Sequence, residues 1–336
     1  MKTKIKNILV TGGAGCIGLQ VCKDLIERGF VVRLFDLPEQ VARVKQHIPS
    51  KVKIEYGSIL DCSSLRDAMV NCDAVIHLAA YLGVKRTETN KLRCLEININ
   101  GTKNVLDCAV QHGVKKIIFA SSSEVYGEPI ENPITEESIT QGKTVYAITK
   151  LAGEELCKAY TQRYPQLSHT ILRYFNTYGP SQIAQFVIPK FIRNTMANKP
   201  PIIYGDGQQL RGYCYASDTA WATIEALLSN ETNGEVFNVG NSDTLSSLID
   251  LAETVIDVCG KKDTLQMKLE GNFANTDRDE EREIYKRYCD ATKIKNLLGF
   301  VPKVSLEEGI KNVVEAGSPS PQWGATDLKY TLDEWL

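Results

Sequence analysis

The chain has 336 residues, of which 43% are hydrophobic and 24% charged, with a formal net charge of −2 at pH 7. A chain of this length can bury a large core and is long for one domain, so we expect two lobes. The charge argues against nucleic-acid binding, and no stretch approaches the ~18 apolar residues of a membrane span. Because the start of the chain leads into a strand rather than a signal-peptide core, we expect a soluble, cytoplasmic protein.

Ten cysteines are scattered along the chain without a Cys-x-x-Cys pair. Most fall in segments that read as helix or strand, so we expect reduced core residues rather than disulfides or zinc ligands, and no metal site.

Short apolar strands alternate with helical segments through the first half of the chain. Helices are predicted from about residues 17 and 63 and over 92–112 and 146–164. Continuous apolar strands separated by helices predict an α/β fold with a doubly wound parallel sheet. The predicted strands are 8–10, 31–35, 52–56, 74–78, 117–121 and 169–173, with a further strand at 236–239.

Residues 7–18 run from an apolar strand into Gly12, Gly15 and Gly18. Gly12 permits a tight turn, Gly15 lets the backbone approach a pyrophosphate, and Gly18 lets the following helix pack closely. Asp36 closes the second strand where a ribose-binding acid is expected, and its carboxylate favours NAD over NADP because it repels a 2′-phosphate. The segment predicts a dinucleotide-binding turn in a Rossmann-type sheet.

After residue 173 prolines and glycines break the pattern into shorter pieces, which suits a smaller substrate lobe of α/β type. We therefore predict an NAD-binding Rossmann domain at 1–176, to which 211–240 return. The substrate lobe is predicted at 177–210 and 241–317, followed by a C-terminal tail at 318–336.

Tyr146 and Lys150 stand one helical turn apart in the predicted helix. A nearby ammonium favours phenolate and lowers the tyrosine pKa, which makes the tyrosine a usable base at neutral pH. The run Ser121-Ser122-Ser123-Glu124 follows an apolar strand, so its side chains emerge at the carboxyl edge of the sheet, where ligands bind. The two segments together predict a catalytic site.

These motifs resemble the extended short-chain dehydrogenase/reductases, in particular the nucleotide-sugar epimerase/dehydratase family. The Thr-Gly-Gly-Ala-Gly-x-Ile-Gly turn, the serine run and Tyr-x-x-x-Lys carry the resemblance, which covers nearly the whole chain. It implies NAD as cofactor and a set of residues that hold it. That set is Gly12, Gly15, Cys16, Ile17, Gly18, Asp36, Ser58, Ile59, Leu78, Ala79, Ala80 and Asn98, with Tyr146 and Lys150.

The resemblance also implies a nucleotide-diphosphate sugar substrate, linked to UDP or GDP. Ser122 would share the proton of the sugar hydroxyl with Tyr146, and two planar arginines suit the diphosphate. The implied substrate contacts are Ser123, Asn176, Arg211 and Arg287. Relatives pair the helices at 92–112 and 146–164 across a dimer, so we predict a homodimer.

Two positions depart from the family pattern. Ser58 follows Gly57 where an adenine-binding acid is common, so that carboxylate is missing or replaced by Asp61. Gly212 stands where an acidic residue commonly follows the arginine, which puts local packing in doubt.

The shared chemistry begins with Tyr146 taking the proton of the sugar 4-hydroxyl while C4 is oxidised to a ketone. A hydride returned to the other face gives a 4-epimerase, C5 proton removal with loss of the C6 hydroxyl gives a dehydratase, and loss of a C6 carboxylate gives a decarboxylase. Glutamate at position 124 is common in dehydratases and decarboxylases, so we expect a 4,6-type nucleotide-sugar dehydratase with Glu124 as C5 acid and base. The alternatives are a UDP-hexose 4-epimerase, a UDP-glucuronate decarboxylase and a non-catalytic NAD-sensing regulator.

The sequence does not identify the sugar. The loop at 81–86 lies where the family contacts the sugar, and its cations Lys85 and Arg86 either meet a carboxylate or face solvent. Of the two alternatives we expect the cations to face solvent.

Overall fold

The computed structural model describes residues 5–183, 185–271 and 284–317, so the predicted tail lies outside the described residues. The strands in chain order are β1 (Asn7–Thr11), β2 (Val31–Asp36), β3 (Lys53–Tyr56), β4 (Ala74–His77), β5 (Lys116–Ser122), β6 (Ser168–Tyr174), β7 (Thr177–Tyr178), β8 (Ile202–Tyr204), β9 (Leu210–Gly212), β10 (Cys214–Tyr215), β11 (Val236–Val239), β12 (Leu245–Ser246), β13 (Lys268–Glu270) and β14 (Lys286–Arg287).

Seven of these strands form one parallel sheet in the order β11-β6-β5-β4-β1-β2-β3. The predicted Rossmann-type α/β sheet is confirmed. Strands β2 and β3 lie on one side of β1, and β4 lies on the other side. The strand order therefore reverses between β1 and β4. A ligand crevice is expected beyond the carboxyl ends of the strands at such a reversal.

The helices are α1 (Cys16–Glu27), α2 (Pro38–Val44), α3 (Cys62–Met69), α4 (Val84–Thr89), α5 (Lys91–Leu95), α6 (Gly101–Gln111), α7 (Val145–Arg163), α8 (Val187–Met196), α9 (Ala216–Leu228), α10 (Leu248–Val258), α11 (Thr292–Leu298) and α12 (Leu306–Glu315). The single helix predicted over 92–112 is instead α5 and α6 joined by a π-helical turn at Glu96–Asn100. Hydrophobic periodicity does not distinguish this bulge from continuous helix.

Helices cover both faces of the large sheet, which is why its central strands are apolar along their length. One core contains Leu19 and Val21 of α1 with Ile224 of α9. The opposite core contains Leu65 of α3 and Val105 of α6. The sheet is therefore buried on both faces, and its ligand-accessible part is its edge.

Three small sheets and a third core lie outside the large sheet. β9 pairs with β12 and β14, β8 with β13, and β7 with β10. Phe191 of α8, Leu251 of α10 and Ile310 of α12 lie in the third core. Ile294 of α11 packs into the first core instead, although its residue number falls in the range predicted for the smaller lobe.

None of the described helices is long and apolar enough to cross a membrane. All ten cysteines are free thiols, and seven of them are buried. Within the described ranges, no group of three or more His, Cys, Asp or Glu side chains is arranged to hold a metal ion. The predicted homodimer stays a prediction.

Gly153 lets helix α7 lie against β5. A Cβ at this position would overlap the ring of Phe119. We expect Gly153→Ala to lower the free energy of unfolding by about 1 to 3 kcal/mol through overpacking, although alanine favours helix by about 1 kcal/mol. Urea unfolding of both proteins measures the difference.

Gly271→Ala is the control, because a Cβ there meets no atom of the described residues within 4 Å. Equal stability of Gly153→Ala and wild type would contradict the packing assigned to α7.

Candidate active site

The glycine turn joins β1 to α1 by a close backbone approach. The φ angle of Gly12 is 70°, and a Cβ there would lie 2.5 Å from the backbone nitrogen of Ala79. A Cβ at Gly18 would overlap the carbonyl oxygen of Gly12. Helix α1 begins at Cys16, and no side chain of the described residues caps its N-terminus. The backbone N–H groups of its first turn are therefore available to an anion.

Asp36 ends β2 beside this turn. Its Oδ2 accepts a hydrogen bond from Ala14 N at 2.9 Å, and its Oδ1 accepts one from Leu37 N at 2.8 Å. Burial raises the pKa of Asp36 to about 6, although both backbone hydrogen bonds favour the carboxylate. The position suits the ribose contact that the sequence predicts.

The segment after β3 explains the first departure from the family pattern. Ser58 Oγ accepts a local hydrogen bond from Leu60 N at 3.2 Å. Asp61 Oδ1 accepts from Ser63 N at 2.9 Å and so caps α3, and this bond lowers the pKa of Asp61. The Asp61 carboxylate therefore already caps α3. Recognition of adenine would rely on other residues of this segment.

A cavity of about 1590 Å³ runs from the glycine turn past α7 to the small sheets. It is lined by every predicted site residue except Asn98. The lining includes Gly12, Gly15, Cys16, Ile17, Gly18, Asp36, Ser58, Ile59, Leu78, Ala79, Ala80, Ser122, Ser123, Glu124, Tyr146, Lys150, Asn176, Arg211 and Arg287. The sequence motifs thus meet in one space.

Asn98 lies behind the cavity wall and is only 4% exposed. Its Oδ1 accepts from Tyr81 N at 2.7 Å, and its Nδ2 donates to Tyr81 O and Thr149 Oγ1, each at 3.0 Å. Thr149 in turn donates to Tyr146 O at 2.7 Å. Asn98 therefore ties the loop after β4 to the catalytic helix.

Helix α7 carries Tyr146 and Lys150 into the cavity. Thr144 caps the helix by accepting a hydrogen bond from Ala147 N at 3.1 Å. Lys150 Nζ donates to Ala120 O at 2.7 Å and lies 5.6 Å from the centroid of the Tyr146 ring. Burial lowers the pKa of Lys150 to about 8. The ammonium is thus fixed against the end of β5.

The pKa of Tyr146 is raised, in contrast to the lowering expected from the Tyr-x-x-x-Lys spacing. Burial is the largest cause, and the charge of Glu124 adds to it, while a hydrogen bond with Ser122 acts in the opposite direction. Desolvation of the phenolate outweighs the lysine in this arrangement. The Tyr146 phenol is therefore protonated at neutral pH in the chain alone.

Ser122 and Glu124 stand where β5 runs into a short 3₁₀ turn at Ser123–Tyr126. Ser122 Oγ accepts from Glu124 N at 3.2 Å and so caps this turn. The turn directs the serine towards Tyr146 and presents the glutamate to the cavity.

The two predicted phosphate-binding arginines are register partners on neighbouring parallel strands. Arg211 of β9 pairs with Arg287 of β14. Arg211 Nη1 donates to Leu210 O at 2.9 Å and to Tyr285 O at 3.1 Å, and its Nη2 donates to Ile284 O. Backbone carbonyls thus hold the guanidinium of Arg211 in place.

The second departure also has a structural reason. A Cβ at Gly212 would overlap the carbonyl oxygen of Asn241, so the close packing of these backbones leaves no room for an acidic side chain. Asn176, whose φ is 39°, donates from Nδ2 to Gly212 O at 3.2 Å and lines the cavity beside this strand.

Arg287 forms an ion pair with Glu124 in the wall of the cavity. Arg287 Nη1 donates to Glu124 Oε1 at 2.9 Å, and the two side chains are 10% and 30% exposed. From the sequence these residues were expected to serve separate tasks, at the diphosphate and at C5. With 163 positions between them, only the fold reveals the contact.

The chain matches the family model described as "NAD dependent epimerase/dehydratase family" over residues 8–240. The chain belongs to this family.

Among similar curated proteins is UDP-N-acetyl-alpha-D-glucosaminuronate decarboxylase of Bacillus cytotoxicus, 35% identical over 92% of this chain and 97% of that protein. A solved structure of UDP-glucose 4-epimerase from Thermotoga maritima with UDP-glucose has a TM-score of 0.83 and 31% identity, covering 93% and 98% of the two chains. UDP-glucuronic acid 4-epimerase from Bacillus cereus with UDP-glucuronic acid and NAD has a TM-score of 0.81 and 28% identity, covering 92% and 98%.

The protein is therefore an NAD-dependent enzyme that modifies nucleotide sugars. The residues present fit NAD. The space that a Cβ at Gly12 or Gly18 would fill, together with the uncapped start of α1, matches a pyrophosphate. Asp36, at the end of β2, matches a ribose without a 2′-phosphate.

Several cavity residues were not predicted from the sequence. Arg43 of α2 lines the cavity near Asp36. Gln185 crosses to the loop after β4, since a Cβ at Gly83 would lie 2.5 Å from its Oε1. Arg86 lines the cavity and lies 4.2 Å above the Tyr81 ring, whereas the side chain of Lys85 lies outside the described part of the chain. Of these residues, only Arg43 could have been anticipated from the sequence, because it lies in the helix that follows Asp36.

We expect NAD affinity to fall as the pH is lowered through about 6, the pKa to which burial raises Asp36. Below that pH the carboxyl is neutral and loses most of its strength as a hydrogen-bond acceptor for the ribose hydroxyls. The fall should approach about tenfold per pH unit. Isothermal titration calorimetry between about pH 8 and about pH 5 measures it.

Asp36→Asn is the control. It should bind NAD more weakly at the upper pH and lose this dependence. An identical pH profile in the variant would exclude Asp36 as the titrating group.

Proposed function

We propose that the enzyme decarboxylates a UDP-linked hexuronic acid after oxidising the sugar at C4. The observation that carries this proposal is the ion pair of Glu124 and Arg287 beside the catalytic serine and tyrosine. A guanidinium at this place suits a substrate whose sugar bears a carboxylate.

The first step uses the groups around Tyr146. Tyr146 takes the proton of the 4-hydroxyl, Ser122 orients that hydroxyl, and the buried charge of Lys150 stabilises the phenolate that forms. NAD, when bound, supplies the oxidation of the alcohol carbon and the later reduction of the ketone. Because burial raises the Tyr146 pKa in the chain alone, the proposal requires that bound NAD and substrate favour the phenolate.

The second step depends on the fate of the 4-ketone. A uronate with a 4-ketone is a β-keto acid: the C5–C6 bond breaks, carbon dioxide leaves, and the electron pair passes to an enolate. C5 then takes a proton, and the ketone is reduced. No base is needed at C5, so the route places no demand on Glu124 as a base.

The bond to Arg287 occupies one carboxylate oxygen of Glu124. Arg287 Nη1 donates to Glu124 Oε1 at 2.9 Å, so this oxygen already accepts a charged hydrogen bond. A dehydratase needs a base for the C5 proton, whereas decarboxylation does not. Glu124 is 30% exposed, and in this proposal it passes a solvent proton to C5 after carbon dioxide has left.

A UDP-linked uronate is supported by two relatives. The curated protein from Bacillus cytotoxicus is a UDP-N-acetylglucosaminuronate decarboxylase, and the Bacillus cereus structure holds UDP-glucuronic acid. Arg211 and Asn176 line the cavity at the small sheets and would take the diphosphate.

A nucleotide-sugar dehydratase is the second candidate. If the diphosphate takes Arg287, as the family resemblance implies, Glu124 is released into the cavity as a free carboxylate. Glu124 could then accept the C5 proton, as a dehydratase requires.

Incubation in deuterium oxide with UDP-glucuronate, UDP-N-acetylglucosaminuronate and the matching neutral hexoses tests the proposal, with products followed by mass spectrometry and NMR. We expect carbon dioxide release from a uronate with one deuterium at C5. Loss of water with C5 deuterium would favour the dehydratase, and an isomer of unchanged mass without deuterium would favour an epimerase.

Arg287→Lys separates the two assignments of this arginine. If Arg287 meets the sugar carboxylate, the variant should bind UDP-glucuronate about 10- to 100-fold more weakly, since one charged hydrogen bond contributes about 1.5 to 3 kcal/mol, while UDP-glucose binding changes little. Competition binding with both sugars measures the ratio.

Arg211→Lys is the matched control on the neighbouring strand and should weaken the binding of UDP-glucuronate and UDP-glucose equally. An equal loss for both sugars in Arg287→Lys would assign Arg287 to the diphosphate and remove the main support for a uronate substrate.

A further inference from the structure

A buried polar cluster lies directly behind the active-site turn and has no part in the steps above. We name it the Arg173 cluster, after the residue at its centre. Its members are Ser121, Tyr126, Glu136, Glu154, Arg173 and Asn238.

The centre of the cluster is a bidentate ion pair. Arg173 Nε and Nη2 donate to the two carboxylate oxygens of Glu154 at 2.9 and 2.7 Å. Arg173 is 5% exposed and Glu154 1%. Neither they nor Tyr126 line the cavity. Both fork positions of the guanidinium are thus satisfied, which fixes its plane.

The remaining bonds extend this geometry to neighbouring segments. Arg173 Nη1 donates to the Tyr126 hydroxyl at 2.8 Å, and that hydroxyl donates to Asn238 Oδ1 at 2.7 Å. Burial raises the pKa of Tyr126 to about 12, so it stays protonated and keeps both bonds. Ser121 Oγ donates to Glu154 Oε1 at 2.5 Å.

Three members of the cluster lie close in sequence to residues of the active site. Ser121 precedes Ser122, and Tyr126 closes the turn that carries Glu124. Glu154 follows Lys150 by one turn of α7.

The cluster also reaches the strand that carries Arg287. Asn238 Nδ2 donates to Ile134 O at 3.0 Å, and Ile134 N donates to Tyr288 O at 2.9 Å. One buried guanidinium therefore connects both partners of the Glu124–Arg287 pair with the catalytic helix.

We infer that Arg173 is a positioning residue that holds the Ser122–Glu124 turn at its working distance from Tyr146 and Arg287. The inference rests on the proposed roles of Ser122, Tyr146 and Glu124, and not on the choice between decarboxylase and dehydratase. A buried ion pair commonly adds little net stability over an apolar replacement. A guanidinium with a fully hydrogen-bonded fork is instead suited to fixing the orientation of its neighbours. Orientation matters because small misplacements of reacting groups slow a reaction strongly.

The test compares Arg173→Lys and Tyr126→Phe with wild type, using the nucleotide sugar that wild type converts. Arg173→Lys keeps the charge and loses the fork, and Tyr126→Phe removes one hydroxyl with little change in volume. We expect kcat to fall about 100-fold in the first and about tenfold in the second, with KM within about twofold. Tyr126→Phe should also lower kcat less when Glu124 is already replaced by Gln. The turn then no longer carries a carboxylate that must be positioned.

Lys116→Met is the matched control. Lys116 is another buried cation, on the same strand as Ser121 but at its opposite end, and donates to Ser229 O at 2.5 Å and Thr232 Oγ1 at 2.8 Å. It should lower stability in urea unfolding and leave kcat per folded molecule unchanged. If Arg173→Lys and Tyr126→Phe behave like this control, the cluster is merely structural and the inference is overturned.

A crystal structure of Tyr126→Phe gives a readout that needs no turnover. We expect the Glu124 Oε1 to Arg287 Nη1 distance to lengthen from 2.9 Å. An unmoved turn would overturn the inference even if no nucleotide sugar were converted by wild type. Absence of conversion by wild type would instead contradict the proposed function alone.

Discussion

The parallel register of the large sheet is the constraint on which the active site depends. Thr11 at the end of β1 pairs with His77 at the end of β4, and Ser122 at the end of β5 pairs with Tyr174 at the end of β6. The loops after these strands therefore leave the sheet at the same edge. The glycine turn, the loop after β4, the serine turn and the Asn176 segment meet there although they are distant in sequence.

A buried histidine keeps two of these strand ends together. His77 Nδ1 lies 2.7 Å from Thr11 Oγ1, and His77 Nε2 lies 3.1 Å from Thr102 Oγ1. Because Thr102 donates its own proton to Asn98 O at 2.6 Å, it must accept from His77, which assigns the proton to Nε2 and leaves Nδ1 to accept from Thr11. Burial lowers the His77 pKa to about 3, so the ring stays neutral and this order of donors is kept at physiological pH.

The sequence was sufficient for the large sheet because each strand is short, apolar and bounded by helix. Predicted strands such as 31–35 and 74–78 lie within two residues of those observed. The π-helical turn at Glu96–Asn100 escaped prediction because one extra residue barely alters a helical pattern. The site residues share a cavity as their motifs suggested, but two of their properties arise only in the fold. These are the Arg287–Glu124 contact and the raised pKa of Tyr146, which reflects burial.

Arg287 donates to a side chain that an incoming ligand can replace. Arg211 donates to the carbonyl oxygens of residues 284 and 285 just before β14, whereas Arg287 donates to the carboxylate of Glu124. An incoming carboxylate or phosphate can take the place of Glu124 without loss of charge pairing at Arg287. Such an exchange also changes the surroundings of Glu124, whose charge contributes to the raised pKa of Tyr146. In the proposed mechanism, substrate recognition and the readiness of Tyr146 as a base are therefore coupled through one carboxylate.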